Sequence, residues 1–187
     1  FKATPDIWCD RQVEEGLRLL QGADHVAARA VFNEVLAARP RHFGALHLMG
    51  VSHLQRGEHA PALVAFDAAL AASPNSAEAH ANRGTVLKAM GRLSEAALNS
   101  YDRALGLRPS DALAHCNRGA VLIELRREHE ALESLDRAIK LKRDLPDAHN
   151  NRGVILQSMG RSSDAIKGFE NAIELVPDYA QAHNNKG

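Results

Sequence analysis

The residues with the widest chemical reach in this 187-residue sequence are its ten histidines and two cysteines, which could serve metal binding, proton transfer or nucleophilic attack. Four of the histidines, His80, His115, His149 and His183, recur in one phrase, as AHANRG, AHCNRG, AHNNRG and AHNNKG. Equivalent side chains on stacked helix pairs stand on the order of 15 to 20 Å apart, whereas zinc needs its ligands at about 2 Å. A row of single histidines therefore shares no ion, and these residues read as packing at a helix interface. Cys9 and Cys116 are 107 residues apart, with no adjacent base to activate either thiol. They read as free thiols of a reducing compartment. Neither a phosphate-binding glycine loop nor a dinucleotide fingerprint is present. The sequence offers no catalytic residue, no metal set and no cofactor site, and the expectation is a non-enzyme.

The remaining recurrent polar residues fall into two rows. Sixteen residues separate Asp67 from Arg83, Asp102 from Arg118, Asp136 from Arg152 and Glu170 from Lys186. Where the acid becomes Asn33, the base sixteen residues on becomes Met49. Joint loss of both partners points to a ladder of ion pairs between successive structural units, which fixes register more than it adds stability; the other reading is a basic stripe for a ligand. Asn82, Asn117, Asn151 and Asn185 form the second row. An amide offers donors and an acceptor together, which suits hydrogen bonding to the backbone of an extended peptide whatever its side chains. The alternative is an amide that bonds a neighbouring helix end or faces water. By helical geometry Thr85, Lys88, Glu124, Asn150, Gln157 and Asn184 lie near the asparagines.

These rows need a periodic scaffold. Gly16, Gly50, Gly84, Gly119, Gly153 and Gly187 are spaced by 34, 34, 35, 34 and 34 residues. Twelve residues after most of them comes an alanine, and four further on a bulky apolar residue: Phe32, Phe66, Tyr101, Leu135 and Phe169. Apolar residues three and four apart, as in Leu63, Phe66, Ala69 and Leu70, mark helix faces, and no stretch reads as a strand. Gly57, Gly91 and Gly160 suit the left-handed residue that ends a first helix, and Ser94 or Asp164 could cap the second. The small residues let two antiparallel helices approach closely. With 23 basic and 23 acidic residues the net charge is zero, which gives no long-range attraction to nucleic acid or anionic lipid. No apolar stretch approaches the roughly 20 residues of a membrane span.

The pattern resembles the tetratricopeptide repeat, a 34-residue helix-turn-helix with small residues at positions eight, twenty and twenty-seven and proline near its end. The resemblance covers essentially the whole chain after Ile7 and divides it into repeats at about 9–42, 43–76, 77–111, 112–145 and 146–179, with a partial sixth at 180–187. It implies an all-α, right-handed superhelical solenoid of antiparallel helix pairs, one array over residues 1–187, with a concave groove. Arg143 stands where the closing proline belongs, which suggests a looser or differently bent turn, and the third repeat carries an extra residue between Gly91 and Tyr101. In this family the sixth position lines the concave surface, and a row of asparagines there is similar to the superhelical arm of O-GlcNAc transferases. The family's carboxylate clamp finds no counterpart, since its positions hold His47, Ala81, Cys116, Val51, Thr85 and Ala120.

The expected function is a non-catalytic scaffold that binds an extended peptide or partner helix. Two alternatives stay open: the substrate-recruiting arm of a larger bacterial O-GlcNAc-transferase-like enzyme, and a spacer or self-association element. The partner is expected to be a protein or peptide, with no nucleic acid and no membrane insertion. The chain starts at Phe1 and stops within a first helix, so a longer natural protein is expected, cytoplasmic and bacterial, whose uncapped last repeat could stack on another copy.

Overall fold

The structure, a computed structural model, describes residues 5–91 and 94–187. All regular structure among them is helical: α1 Pro5–Gln21, α2 His25–Ala38, α3 Phe43–Gln55, α4 His59–Ala72, α5 Ala77–Ala89, α6 Ser94–Leu107, α7 Ala112–Glu124, α8 Glu128–Leu141, α9 Pro146–Ser158, α10 Ser162–Leu175 and α11 Ala180–Lys186. Odd-numbered helices open the repeats and are termed A helices; even-numbered ones are B helices. The chain groups into two compact units, Phe1–Met90 and Gly91–Gly187, divided between α5 and α6. The extra residue of the third repeat falls in a stretch whose residues 92 and 93 lie outside the described ones.

Four hairpins, α1–α2, α3–α4, α7–α8 and α9–α10, are each built around one close approach. A Cβ on Gly16 would stand 2.2 Å from Phe32 Cε1, and one on Gly50 2.7 Å from Phe66 Cε1. In the second unit a Cβ on Gly119 would stand 2.6 Å from Leu135 Cγ, and one on Gly153 2.5 Å from Phe169 Cε1. The bare backbone of the A helix thus admits a bulky apolar side chain of the B helix, and Phe32, Phe66, Leu135 and Phe169 are all buried. Full burial of such a side chain contributes about 1.5 to 3 kcal/mol. The alanines Ala28, Ala62, Ala131 and Ala165 are buried beside them, where a larger residue would separate the helices.

The turn between A and B helices is left-handed in every described repeat. Gly57, Gly91 and Gly160 have φ of +71°, +69° and +76°, and the same conformation recurs at Ala23 (+60°) and Arg126 (+59°), where no glycine relieves it. Side chains of Asp24, Ser76 and Asp111 accept from the amides of Ala27, Ala79 and Ala114 at 3.0, 3.2 and 3.0 Å, capping α2, α5 and α7. Asp164 is not the cap of α10; it lies in the first turn and pairs with Arg161, while Arg161 holds the cap position without a side-chain bond. Ser94 opens α6 itself, and its hydroxyl donates to Glu124 at 3.0 Å.

The turn that lacks proline is entered in the same way but formed differently: residues 143–144 make a bend without the hydrogen-bonded turn found at 40–41, 74–75, 109–110 and 177–178. Lys142, which ends α8, has φ −145° and ψ 110°, close to Ser73 (−140°, 92°) and Val176 (−137°, 94°) before the prolines of α4 and α10. Proline restricts its predecessor to extended backbone, and Lys142 adopts that conformation unforced. The displaced Pro146 becomes the first residue of α9, a position that needs no amide donor.

Candidate functional site

The asparagine row starts from helix geometry. Each asparagine precedes a repeat glycine by two residues, about 200° around a helix of 3.6 residues per turn. The glycine faces the B helix of its own repeat, so the asparagine faces away from it, onto the free side of the A layer. Asn151 sits there, half-buried, and no hydrogen bond from its side chain is recorded among the described residues. Asn184 and Gln157 are exposed on the same helices.

The amides do not all point outward. Asn185 Nδ2 donates to Asn150 Oδ1 at 3.0 Å, and Asn82 Nδ2 donates to His47 Nε2 at 3.1 Å. Each bond joins the sixth residue of one repeat to the fifth of the repeat before it. Asn150, placed near the groove row by sequence, is instead buried in the seam between α9 and α11, 4% exposed. Thr85 turns its hydroxyl back to the Ala81 carbonyl at 3.1 Å, Lys88 is half-buried, and Glu124 receives the Ser94 hydroxyl. His47 is buried, stacked on Phe43 at 5.5 Å between ring centroids. Burial lowers its pKa, against a smaller opposing pull from Glu78, so the ring stays neutral and its Nε2 accepts from Asn82.

The acid and base row closes into pairs across repeat junctions. Arg83, Arg118 and Arg152 donate through Nε to Asp67, Asp102 and Asp136, each at 2.6 Å, and Lys186 Nζ lies 2.9 Å from Glu170. The bases are 22 to 41% exposed and the acids about half, so solvent screens the pairs and their worth lies in register.

The four phrase histidines share one bond. Nε2 of His80, His115, His149 and His183 donates to the carbonyls of Pro74, Pro109, Arg143 and Pro177 at 2.9, 3.1, 2.8 and 2.7 Å. Each ring therefore satisfies a carbonyl just past the end of the preceding B helix, where helical partners have run out. At His115 desolvation lowers the pKa, only partly offset by the Pro109 carbonyl, and Nδ1 is buried without a partner. No group of three or more His, Cys, Asp or Glu that could hold a metal occurs among the described residues.

Family profiles described as TPR repeat match residues 94–125 and 129–160, and profiles described as tetratricopeptide repeat match residues 13–77 and 146–179. This chain belongs to the tetratricopeptide-repeat family. Among solved structures it is similar to YrrB, described as a TPR protein with an unusual peptide-binding site, with a TM-score of 0.81 and 22% identity over 94% of this chain and 90% of that one. MamA is similar at a TM-score of 0.78 and 23% identity, covering 89% and 96% of the two chains. MamA from Desulfovibrio magneticus RS-1 gives 0.81 at 20% identity, covering 91% and 96%. Likeness at this identity shows the solenoid fold alone. A search of curated proteins found no significant match.

Two features of this tetratricopeptide chain carry no repeating sequence signal. Glu58, at the start of α4, accepts from Arg29 Nη1 at 2.7 Å, His53 Nδ1 at 2.5 Å and Arg56 Nε at 2.9 Å. These donors, His53 foremost and Arg56 next, bring its pKa to about 2. Tyr179 donates its hydroxyl to Asp147; burial first, then this bond, raises its pKa. Both join residues whose one-letter pattern is unrelated to the period, so only the folded chain shows them. No helix among the described residues is long and apolar enough to cross a membrane.

Proposed function

We propose that this chain is a non-catalytic interaction scaffold and that the free side of the A layer in its second unit holds an extended peptide. The fold supports the first part, since tetratricopeptide arrays serve as protein-binding surfaces. The observation that carries the second is the amide-rich surface of α9 and α11. Asn151 is half-buried on α9, and Gln157 and Asn184 are exposed on α9 and α11, while Arg152 and Lys186 are committed to Asp136 and Glu170. Amides read a peptide backbone with little regard to side chains, whereas a charge-reading site needs unpaired cations or anions. The YrrB likeness supports a peptide-binding reading by analogy of fold.

The test is capture of unstructured peptides from a random-sequence library by the full chain, compared with Asn151→Ala combined with Gln157→Ala. The double variant is expected to lose capture with its helix content and melting unchanged. Undiminished capture would remove the amides from the mechanism. The reading as a recruiting arm of a larger glycosyltransferase rests on the same amides; a nucleotide-sugar-binding domain in the same polypeptide decides it.

A further inference from the structure

Two bonds join A helices of successive repeats in the same way, and they differ in one respect that a proton can act on. Asn82 Nδ2 donates to His47 Nε2 between α5 and α3, and Asn185 Nδ2 donates to Asn150 Oδ1 between α11 and α9. Donor, positions and direction are the same; the acceptors are not. Asn150 offers an amide oxygen, which takes no proton near neutral pH. His47 offers the lone pair of Nε2, which is lost once the ring is protonated, because both nitrogens of an imidazolium are donors. A donor then faces a donor.

His47 is placed so that the difference counts. It is 6% exposed, stacked on Phe43 of its own helix and tilted at 54° against Phe66 of α4, whose ring centroid is 5.7 Å away. Besides Asn82, α5 supplies the charged group that acts on the ring: Glu78 Oε1 lies 4.0 Å from Nε2. No charged side chain of α1, α2 or α4 among the described residues forms an ion pair with it. Glu78 is itself exposed, so solvent screens its attraction for a charged ring. Burial against two aromatic rings outweighs that one carboxylate and favours the neutral ring, the form that the bond from Asn82 needs.

We propose that His47 and Asn82 form a proton-sensitive latch between the second and third repeats, closed while the ring is neutral and released when it is protonated. The junction of α9 with α11 carries the same latch without the sensitivity. Linkage gives the sign. The unfolded chain takes up a proton on His47 near the ordinary histidine value of about 6.5, and the folded chain only at lower pH. The stability that the latch contributes is therefore complete above about pH 6.5 and drains as pH falls from there to the folded midpoint. In that window histidine is the side chain whose charge ordinarily changes.

Histidine NMR of the full chain, together with urea unfolding between about pH 7.5 and about pH 5, tests this. The parent's His47 ring is expected to titrate below about 6.5, and Asn82→Ala to raise that midpoint, since the neutral ring then loses its donor. Between about pH 6.5 and the folded midpoint the unfolding constant is expected to rise more steeply in the parent than in His47→Asn, by up to about tenfold per pH unit. His47→Asn repeats the Asn150 arrangement, and the comparison cancels the other titrating groups, His42, His53 and His115 among them. His47→Gln, whose amide oxygen reaches about as far as Nε2, is the second variant and is expected to flatten the profile in the same way, so poor folding of His47→Asn leaves the test intact. A parent midpoint at or above about 6.5, a midpoint that Asn82→Ala leaves in place or lowers, or a pH profile that the variants share with the parent overturns the proposal. None of these readings involves peptide capture, so failure here and failure of the amide reading are separate outcomes.

Discussion

Gly153→Ala puts the close approach of the hairpins to a quantitative test. Alanine gains about 0.8 to 1 kcal/mol over glycine in a helix interior. Against that gain, the new Cβ meets Phe169 Cε1, Cδ1 and Cζ at 2.5, 2.7 and 2.9 Å. The ring is 1% exposed and packed with Leu156 and Ala165, with Leu132 and Val154 against them, so relief means moving close-packed neighbours. Overpacking of a core costs about 1 to 3 kcal/mol, and three contacts this short belong at the upper end. The net expectation is a loss of about 1 to 2 kcal/mol, read by urea unfolding followed by circular dichroism. The decisive arm is the same change in a Phe169→Ala background. With the ring gone, alanine at 153 should be neutral or stabilising, which gives a coupling of about 2 kcal/mol between the sites. Additive losses would refute the idea that the glycine is there to admit the ring.

Asp102→Ala and Arg118→Ala should be non-additive by about 0.2 to 1 kcal/mol in a double-mutant cycle, with the coupling shrinking in high salt; additivity would show the 2.6 Å contact to be energetically empty. Arg126→Gly should raise stability by about 0.5 to 1 kcal/mol in chemical denaturation, because a side chain is strained at φ +59°, and a loss would mean that the arginine makes up for its backbone elsewhere. Glu58 should titrate near pH 2 when followed by carboxyl NMR, below the ordinary glutamate value of about 4.3. Its folded pKa is depressed, so the stability it contributes is complete above the unfolded value and drains as pH falls toward 2. His53→Gln should raise that midpoint, since His53 is its strongest donor; an ordinary midpoint in the parent protein would show that the cluster does not form in solution.

The fold was legible because its physics repeats. A glycine opposite a large ring and a left-handed residue after the first helix each recur at a fixed interval, so the pattern rises above the noise of any single position. The acid and base row was legible for the same reason, helped by the joint exception at Asn33 and Met49. What sequence could not give was the direction of each side chain within a row. Asn150 and Asn151 are neighbours of one type, yet Asn150 is buried in the seam, where Asn185 bonds it at 3.0 Å, and Asn151 is half-buried without such a bond. Histidine at the fourth position read as packing, and the structure adds the carbonyl it serves. Arg143 read as the mark of a differently bent turn, and residues 143–144 do lack the hydrogen-bonded turn of the other junctions. The extended backbone at Lys142 and the bond from His149 to the Arg143 carbonyl are nonetheless kept there without proline.

That last point bears on how the repeats tolerate change. In each described inter-repeat turn of the second unit, a histidine on the A helix holds a carbonyl at the end of the preceding B helix, and a base three residues along holds an acid on that same B helix. Two bonds from one helix turn, to two points on the neighbour, fix both its rotation and its position along the axis; one bond alone would leave the rotation free. Register is therefore carried largely by groups directed at the B helices, with the Asn185–Asn150 bond added between A helices. At the junction that lacks the acid and base, Met49 packs instead into the apolar core of the first two repeats, with Leu20, Ala45 and Ala65.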